Sequence, residues 1–306
     1  MTTPTQPGTS ARTDRISRGI AFVLISSVLL APLVQASSKY LSYAFPVLQI
    51  LWVRCVGHTA WMIVVFWRSH GLAMFHSNRP RMQFARSTLL AVCSLTWLMA
   101  IPDVPLASAG VIMFTTPMFV ALLSAPMLSE RVGRHRGAAI IAGFAGVLIV
   151  LRPWHHQVVW EMLLIVVAAF CYAVYQVLTR QVSAHDSAAT SAVYAVAVGA
   201  VVVSLFMPFY YQLPAAGEWH YWLGFLLVGL VGGFRHLFMV KAFESAPASV
   251  VSPFCYTELI GITALGMLMF GELPDVWTGV GACVIVASGL YIARHETLAA
   301  RRGAAR

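Results

Sequence analysis

The chain has 306 residues, 59% of them hydrophobic and only 10% charged, with 20 basic against 11 acidic residues for a net charge of +9. Soluble domains carry about 25% charged residues, so this composition excludes an ordinary soluble domain and makes lipid the solvent. The basic excess does not indicate nucleic acid, because Lys and Arg lie between apolar runs of helix length and form no single basic face.

Residues 1–18 are polar and read as a cytoplasmic tail. The first apolar run continues past signal-sequence length with no convincing cleavage site, which predicts a membrane helix. Crossing a bilayer core takes about 20 apolar residues. By that measure the chain predicts ten helices, at 19–38, 46–67, 85–101, 106–128, 137–151, 159–179, 188–209, 221–240, 248–270 and 276–293. The runs are continuous and bounded by Gly, Pro and charge, not alternating every second residue, so the expected class is an all-α integral membrane protein. Residues 294–306 form a second polar tail.

With both termini in the cytoplasm, 16 of the 20 basic residues fall on the cytoplasmic side, Arg68, Arg79, Arg81, Arg86, Arg180 and Lys241 among them. Lys39 and Arg152 fall outside, and Arg54 and Arg235 fall within helices 2 and 8. The five cysteines, Cys55, Cys93, Cys171, Cys255 and Cys283, sit in apolar stretches without metal-type spacing, so they read as small core residues and no metal site is expected.

The chain also repeats itself. Sliding it by 142 positions lays Pro105–Arg152 over Pro247–Arg294 without gaps, with nine identities that include Thr115 with Thr257 and Glu130 with Glu272. Halves at 19–152 and 153–293 would each hold five helices. Five is odd, so the second half enters the membrane inverted, an arrangement that places a transporter's site near the bilayer midplane between the halves.

The segment "SERVGRHRGAAIIAGFAGVLIVLRP" and its later echo "APASVVSPFCYTELIGITALGMLMFGELPDVWTGVGACVIVASGLYIARHE" resemble the drug/metabolite transporter superfamily, specifically its EamA-type carriers. The segment "GFRHLFMVKAFESAPASVVSPFCYTE" is similar to a proteobacterial branch with carriers assigned to riboflavin and S-adenosylmethionine. The resemblance implies a multi-pass inner-membrane protein with two EamA repeats and a central cavity lined mainly by helices 1 to 4 and 6 to 9. It also implies that helices 5 and 10 are outer buttresses, a role that suits the small residues Gly137, Gly143, Gly146, Gly279, Gly281 and Gly289.

Charges within the membrane are costly, roughly 2.5 to 3.5 kcal/mol each at a helix centre on insertion scales, and mark candidate substrate contacts. Arg54 and His58 are four residues apart, hence on one helix face, with Arg54 about 12 Å from the outer end. Glu258 lies about 15 Å into helix 9, and Arg235 about 9 Å from the cytoplasmic end of helix 8. Arg235 and Glu258 either lock two helices as an ion pair or contact substrate. Tyr172 and Gln176 share a face of helix 6, and Gln35 aligns with Gln176 at an offset of 141, so all three are candidate lining residues. Phe114 and Tyr256 complete the aromatic candidates, while His236 reads as packing alone. Pro32, Pro117 and Pro253 interrupt helices 1, 4 and 9 and free backbone groups there.

No phosphate-binding loop, complete HExxH or GxSxG elbow occurs, and the His155–His156 pair reads as an interfacial loop. The expected function is therefore a secondary transporter of a small, amphipathic or zwitterionic organic metabolite, with no cofactor. An intramembrane enzyme, a channel and a receptor are the alternatives. The expected partners are that metabolite and the lipid bilayer, with the chain a monomer or homodimer.

Overall fold

The computed structural model describes residues 9–128, 134–153 and 160–304, and every regular element among them is helical. Glu130, His155 and His156 lie outside the described residues. The first rod is α1 (Thr9–Leu24), a π-helical turn (Ile25–Leu30) and α2 (Ala31–Ser42). Pro32 accounts for the π turn: its ring cannot pass the carbonyl of Val28 at α-helical pitch, and the wider turn makes room. Next come α3 (Val47–His70), α4 (Pro80–Ala100), α5 (Leu106–Met113), α6 (Thr116–Leu128) and α7 (Arg134–Leu151). The later part comprises α8 (Trp160–Val182), α9 (Ala188–Ser204), the short α10 (Met207–Tyr210) and α11 (Trp219–Leu226). A second π turn (Leu227–Val231) joins α11 to α12 (Gly232–Ser245), followed by α13 (Ala248–Cys255), α14 (Glu258–Phe270) and α15 (Val276–Ala304).

Seven of these rods are long and apolar enough to cross a membrane: Arg15–Ser42, Val47–Phe75, Leu106–Ser124, Trp160–Val182, Trp219–Ser245, Val250–Phe270 and Val276–His295. Gly137–Leu151 and Ala188–Ser204 are apolar but shorter. The remaining expected span, α4, carries Arg81, Gln83, Arg86 and Ser87 in its first turns.

Two rods are broken in the same way. Phe114 and Thr115 form a turn between α5 and α6, and Tyr256 and Thr257 form one between α13 and α14. The aligned threonines do the same work: the hydroxyl of Thr115 donates to the carbonyl of Ile112 at 2.7 Å and that of Thr257 to Phe254 at 2.5 Å. Pro117 cannot donate to the Met113 carbonyl, and the Thr116 hydroxyl does so instead at 2.7 Å.

The rods pack as α4 against α8 and α9, α1 against α12, α3 against α9, α14 against α2 and α5, and α7 against α15. Leu41, Ile50, Leu98, Ile112, Met118, Ile165 and Val228 are buried in the main core. Without a hydrophobic force between helices in lipid, close contact depends on small residues. A Cβ on Gly57 would stand 2.7 Å from the Cα of Gly229, so α3 crosses the second π turn backbone to backbone. Gly146 and Gly281 meet in the α7–α15 contact, and Gly143 lies on Met118. Gly137 and Gly279, expected to aid helix packing, instead face open space.

Polar knots close the two ends of the bundle. At one end Lys39, at the end of α2, is buried and ion-paired with Glu272, and its Nζ also donates to the Val104 carbonyl at 2.8 Å. Gly271, in the left-handed region at φ 68°, ends α14 in an αL cap, its N–H bonded to Met267 O at 3.1 Å, and Glu272 N reaches back to Gly266 O at 3.1 Å. That turn aims the Glu272 carboxylate at Lys39 and at the Leu106 N–H, 2.8 Å away.

At the other end Asp186 accepts from Ser77 Oγ (2.5 Å), Asn78 N (2.7 Å) and Gln83 Nε2 (2.8 Å). Burial opposes ionisation of Asp186, but these hydrogen bonds prevail and hold its carboxyl below the ordinary value. Arg86 is buried beside this knot, donating to Thr179 Oγ1 at 3.0 Å and to the Ser191 carbonyl, with the Tyr175 ring 5.1 Å from its guanidinium. Lys39, just past the first predicted helix, and Arg86, at the start of the third, were counted among the charges flanking the membrane by the sequence; both are helical and buried. Each sits where a helix continues past its apolar stretch.

Candidate functional site

The two broken rods, together with α2, α3, α4, α8, α9 and α12, surround a cavity of ≈ 480 Å³ in the middle of the bundle. Its size is ordinary for a small-molecule site. Eight of the nine sequence candidates lie on its wall: Gln35, Arg54, His58, Phe114, Tyr172, Gln176, Arg235 and Glu258.

Glu258 opens α14, just after the Tyr256–Thr257 turn, and the break delivers its carboxylate to the cavity. Gln35 Nε2 donates to Glu258 Oε1 at 2.5 Å, and Arg235 Nη2 approaches Oε2 at 3.3 Å. Both carboxylate oxygens are therefore engaged from neighbouring helices. The ion pair weighed in the sequence exists and lies on the cavity wall. Gln35, expected to be the counterpart of Gln176, binds the acid; Gln176 shares the wall with it.

Arg54 has neither an ion pair nor a hydrogen bond among the described residues, although it is within electrostatic range of Arg235 and Tyr172. His58, one turn along, faces His236 with ring centroids 6.1 Å apart. His236 therefore lines the wall and is not mere packing. Two polar atoms at the site are buried without partners, Gln35 Oε1 and Arg235 Nε. Such atoms cost free energy unless something supplies the missing bond.

Aromatic side chains supply the rest of the wall. Tyr172 and Tyr175 stack with centroids 5.6 Å apart and planes 12° off parallel, and Trp97 and Phe114 line the same space. Tyr256 is the exception among the candidates. Its ring lies behind Phe114, at 4.8 Å between centroids, and points at Gly289, so it supports the wall without forming it. The turn at Tyr256–Thr257 rotates it away, which helical spacing does not anticipate. Trp97, Ser94 and Cys93 are wall residues that sequence reasoning did not select, because apolar neighbours hide them in α4.

No group of three or more metal-type ligands occurs among the described residues. The five cysteines carry no disulfide.

Comparison with known proteins sets this site in context. A riboflavin transporter of Vibrio cholerae is 30% identical over 299 residues, covering 94% of this chain and 94% of that protein. An S-adenosylmethionine uptake transporter of Rickettsia felis is 27% identical over 93% of this chain and 95% of its own. A pseudopaline exporter of Pseudomonas aeruginosa is 26% identical over 92% and 98% respectively. One crystal structure superposes with a TM-score of 0.61 at 20% identity, covering 95% of this chain and 99% of the other, a likeness of fold alone. The sequence profile of the EamA-like transporter family matches residues 17–152 and again 159–294. With apolar rods long enough for the bilayer and a family match over both halves, the chain is a multi-pass bacterial membrane protein that belongs to the EamA-like transporter family, within the drug/metabolite transporter superfamily.

Proposed function

We propose that this protein is a secondary carrier that moves a small amphipathic or zwitterionic organic metabolite by alternating access. Its ten rods all cross the membrane as two inverted halves of five, with both termini in the cytoplasm. The observation that carries this reading is the central cavity, where an unpaired Arg54 faces the Arg235–Glu258–Gln35 cluster among stacked tyrosines. A membrane interior retains such charges for a task or a partner, and the Arg54 guanidinium has no partner among the described residues.

The packing supports the inverted halves. Exchanging each rod for the one five places away turns the α4–α8 contact into the α12–α1 contact, and leaves the α3–α9, α5–α14 and α7–α15 contacts mapped onto themselves. The matched breaks at Phe114–Thr115 and Tyr256–Thr257 obey the same exchange. The two polar knots stand at opposite ends of the cavity, where alternating access requires closures that form and break in turn.

Relatives named for riboflavin, S-adenosylmethionine and pseudopaline make ring-bearing and amino-acid-like solutes the first to try. Proteoliposomes preloaded with each should show saturable counterflow of the matching labelled solute. Flux that neither saturates nor exchanges would indicate a channel and overturn the carrier.

A further inference from the structure

We propose that the cavity binds its solute in one orientation, and that the solute is a ring-bearing organic anion whose charged end meets Arg54, Arg235 and Gln35 while its ring lies on Tyr172. This inference rests on the carrier reading above and narrows its substrate class.

The two walls of the cavity are chemically unequal. The internal offset of 141 to 142 pairs each wall position with a counterpart in the other half, yet charge occurs on one member only. Arg54 corresponds to Ala195 or Val196, Arg235 to Cys93 or Ser94, and Glu258 to Thr116 or Pro117, all of them wall residues. His58 likewise corresponds to Gly199. The ionised side chains sit on α3, α12 and α14, and these helices touch: α3 crosses the turn before α12 at Gly57 and Gly229, and Arg235 reaches Glu258. The counterparts on α4, α6 and α9 are neutral, and α8 beside them carries the tyrosine stack. A scaffold with two-fold repetition thus encloses a cavity with one charged wall and one neutral aromatic wall. A solute free to bind either way round would have no use for that division.

The sign follows from the charges. Two guanidiniums and one carboxylate leave one positive charge, and both Glu258 oxygens are already engaged by Gln35 and Arg235. Arg54 is the unbalanced member. A carboxylate or similar anion on the solute would balance it through the planar guanidinium fork. Arg235 Nε and Gln35 Oε1, buried beside that position without partners, are two further polar atoms that a small turn of either side chain would bring to the solute. The ring of the solute then lies on Tyr172, whose own ring is held by its stack with Tyr175 at 5.6 Å between centroids.

The test uses the purified full-length protein in lipid nanodiscs and follows thermal unfolding with four probes at millimolar concentration. Indole-3-acetate and flavin mononucleotide are ring-bearing anions, tryptamine is a ring-bearing cation and citrate is an anion without a ring. Stabilisation is expected from at least one ring-bearing anion, with a shift at least twice that from tryptamine or citrate. The affinity of that anion should fall at least ten-fold in both Arg54→Gln and Arg54→Lys, and more in Gln35→Ala than in Gln176→Ala. An equal or larger shift from tryptamine or citrate, or no shift from either ring-bearing anion, overturns the proposal. Equal losses at Gln35 and Gln176 overturn the single orientation. Selective binding without counterflow in proteoliposomes would remove the carrier reading and leave this one standing; counterflow of cations alone would do the reverse.

Discussion

The rings of Phe114 and Tyr256 lie 4.8 Å apart, their planes tilted by 32°, and an offset of 142 makes them equivalent positions of the two halves. Each immediately precedes the threonine that closes a helix break, so the two breaks touch through this pair. An aromatic contact of this kind is worth about 0.5–1.5 kcal/mol beyond the area it buries. A double-mutant cycle of Phe114→Leu and Tyr256→Leu, read by thermal unfolding, should return a coupling in that range. Additive losses would mean that the breaks are independent.

The ten apolar runs were legible because lipid demands continuous apolar length, and each coincides with a helical rod. Arg54 and His58 were legible because four-residue spacing fixes a shared helix face, and both reach the cavity. Three features were not. Lys39 and Arg86 sit at the ends of apolar runs, where a charge by default reads as solvated, and only tertiary packing buries them. The position of Tyr256 depends on a turn inside a helix, and no spacing rule carries through such a turn. The bond from Gln35 to Glu258 joins residues 223 apart in sequence, and nothing local encodes it.

Arg235 and Glu258 form a pair whose side chains are 37% and 14% exposed, so water in the cavity screens them more than in a dry core. Glu258→Gln or Arg235→Gln alone should destabilise by about 1–2 kcal/mol, less than the loss of a fully buried pair. The double variant should recover part of it. If the pair also serves transport, uptake stays low in the double variant although its stability returns. Recovery of uptake with stability would leave the pair a structural lock.

The proposed topology is tested with single cysteines and a membrane-impermeant thiol reagent. Cysteines at Asp103, Glu218 and Asp275 should label from outside and those at Asn78 and Arg134 should not, since the basic residues mark the cytoplasmic side. External labelling at Asn78 would reverse the orientation.

Asp186 ties the loop before α4 to the loop before α9, and its hydrogen bonds hold its carboxyl below the ordinary value against the effect of burial. A carboxyl so depressed contributes stability that is fully present above the unfolded-state pKa, about 3.9. That contribution is lost as pH falls through the lower folded-state value. The stability gap between wild type and Asp186→Asn should accordingly be constant from about pH 7 to 5 and shrink below about 4. A gap that does not change down to pH 3 would show that the side chain's shape, not its charge, matters.

Lys39 and Glu272 form the other closure, with the lysine side chain 1% exposed and the glutamate 17%. Removing one charge of a buried pair strands the other, so Lys39→Met should cost about 3–5 kcal/mol. Adding Glu272→Leu should restore only part of that. The carboxylate also accepts the Leu106 N–H at the start of α5, and its loss leaves that donor unsatisfied. If this end opens during transport, Lys39→Met also favours the open form. A cysteine at Ala36, buried against Leu106 and Ile262, then reacts with the impermeant reagent several-fold faster than in the parent. Destabilisation with no gain in labelling would make the knot a static brace, and the moving closure would have to be sought elsewhere on the α2–α14 contact.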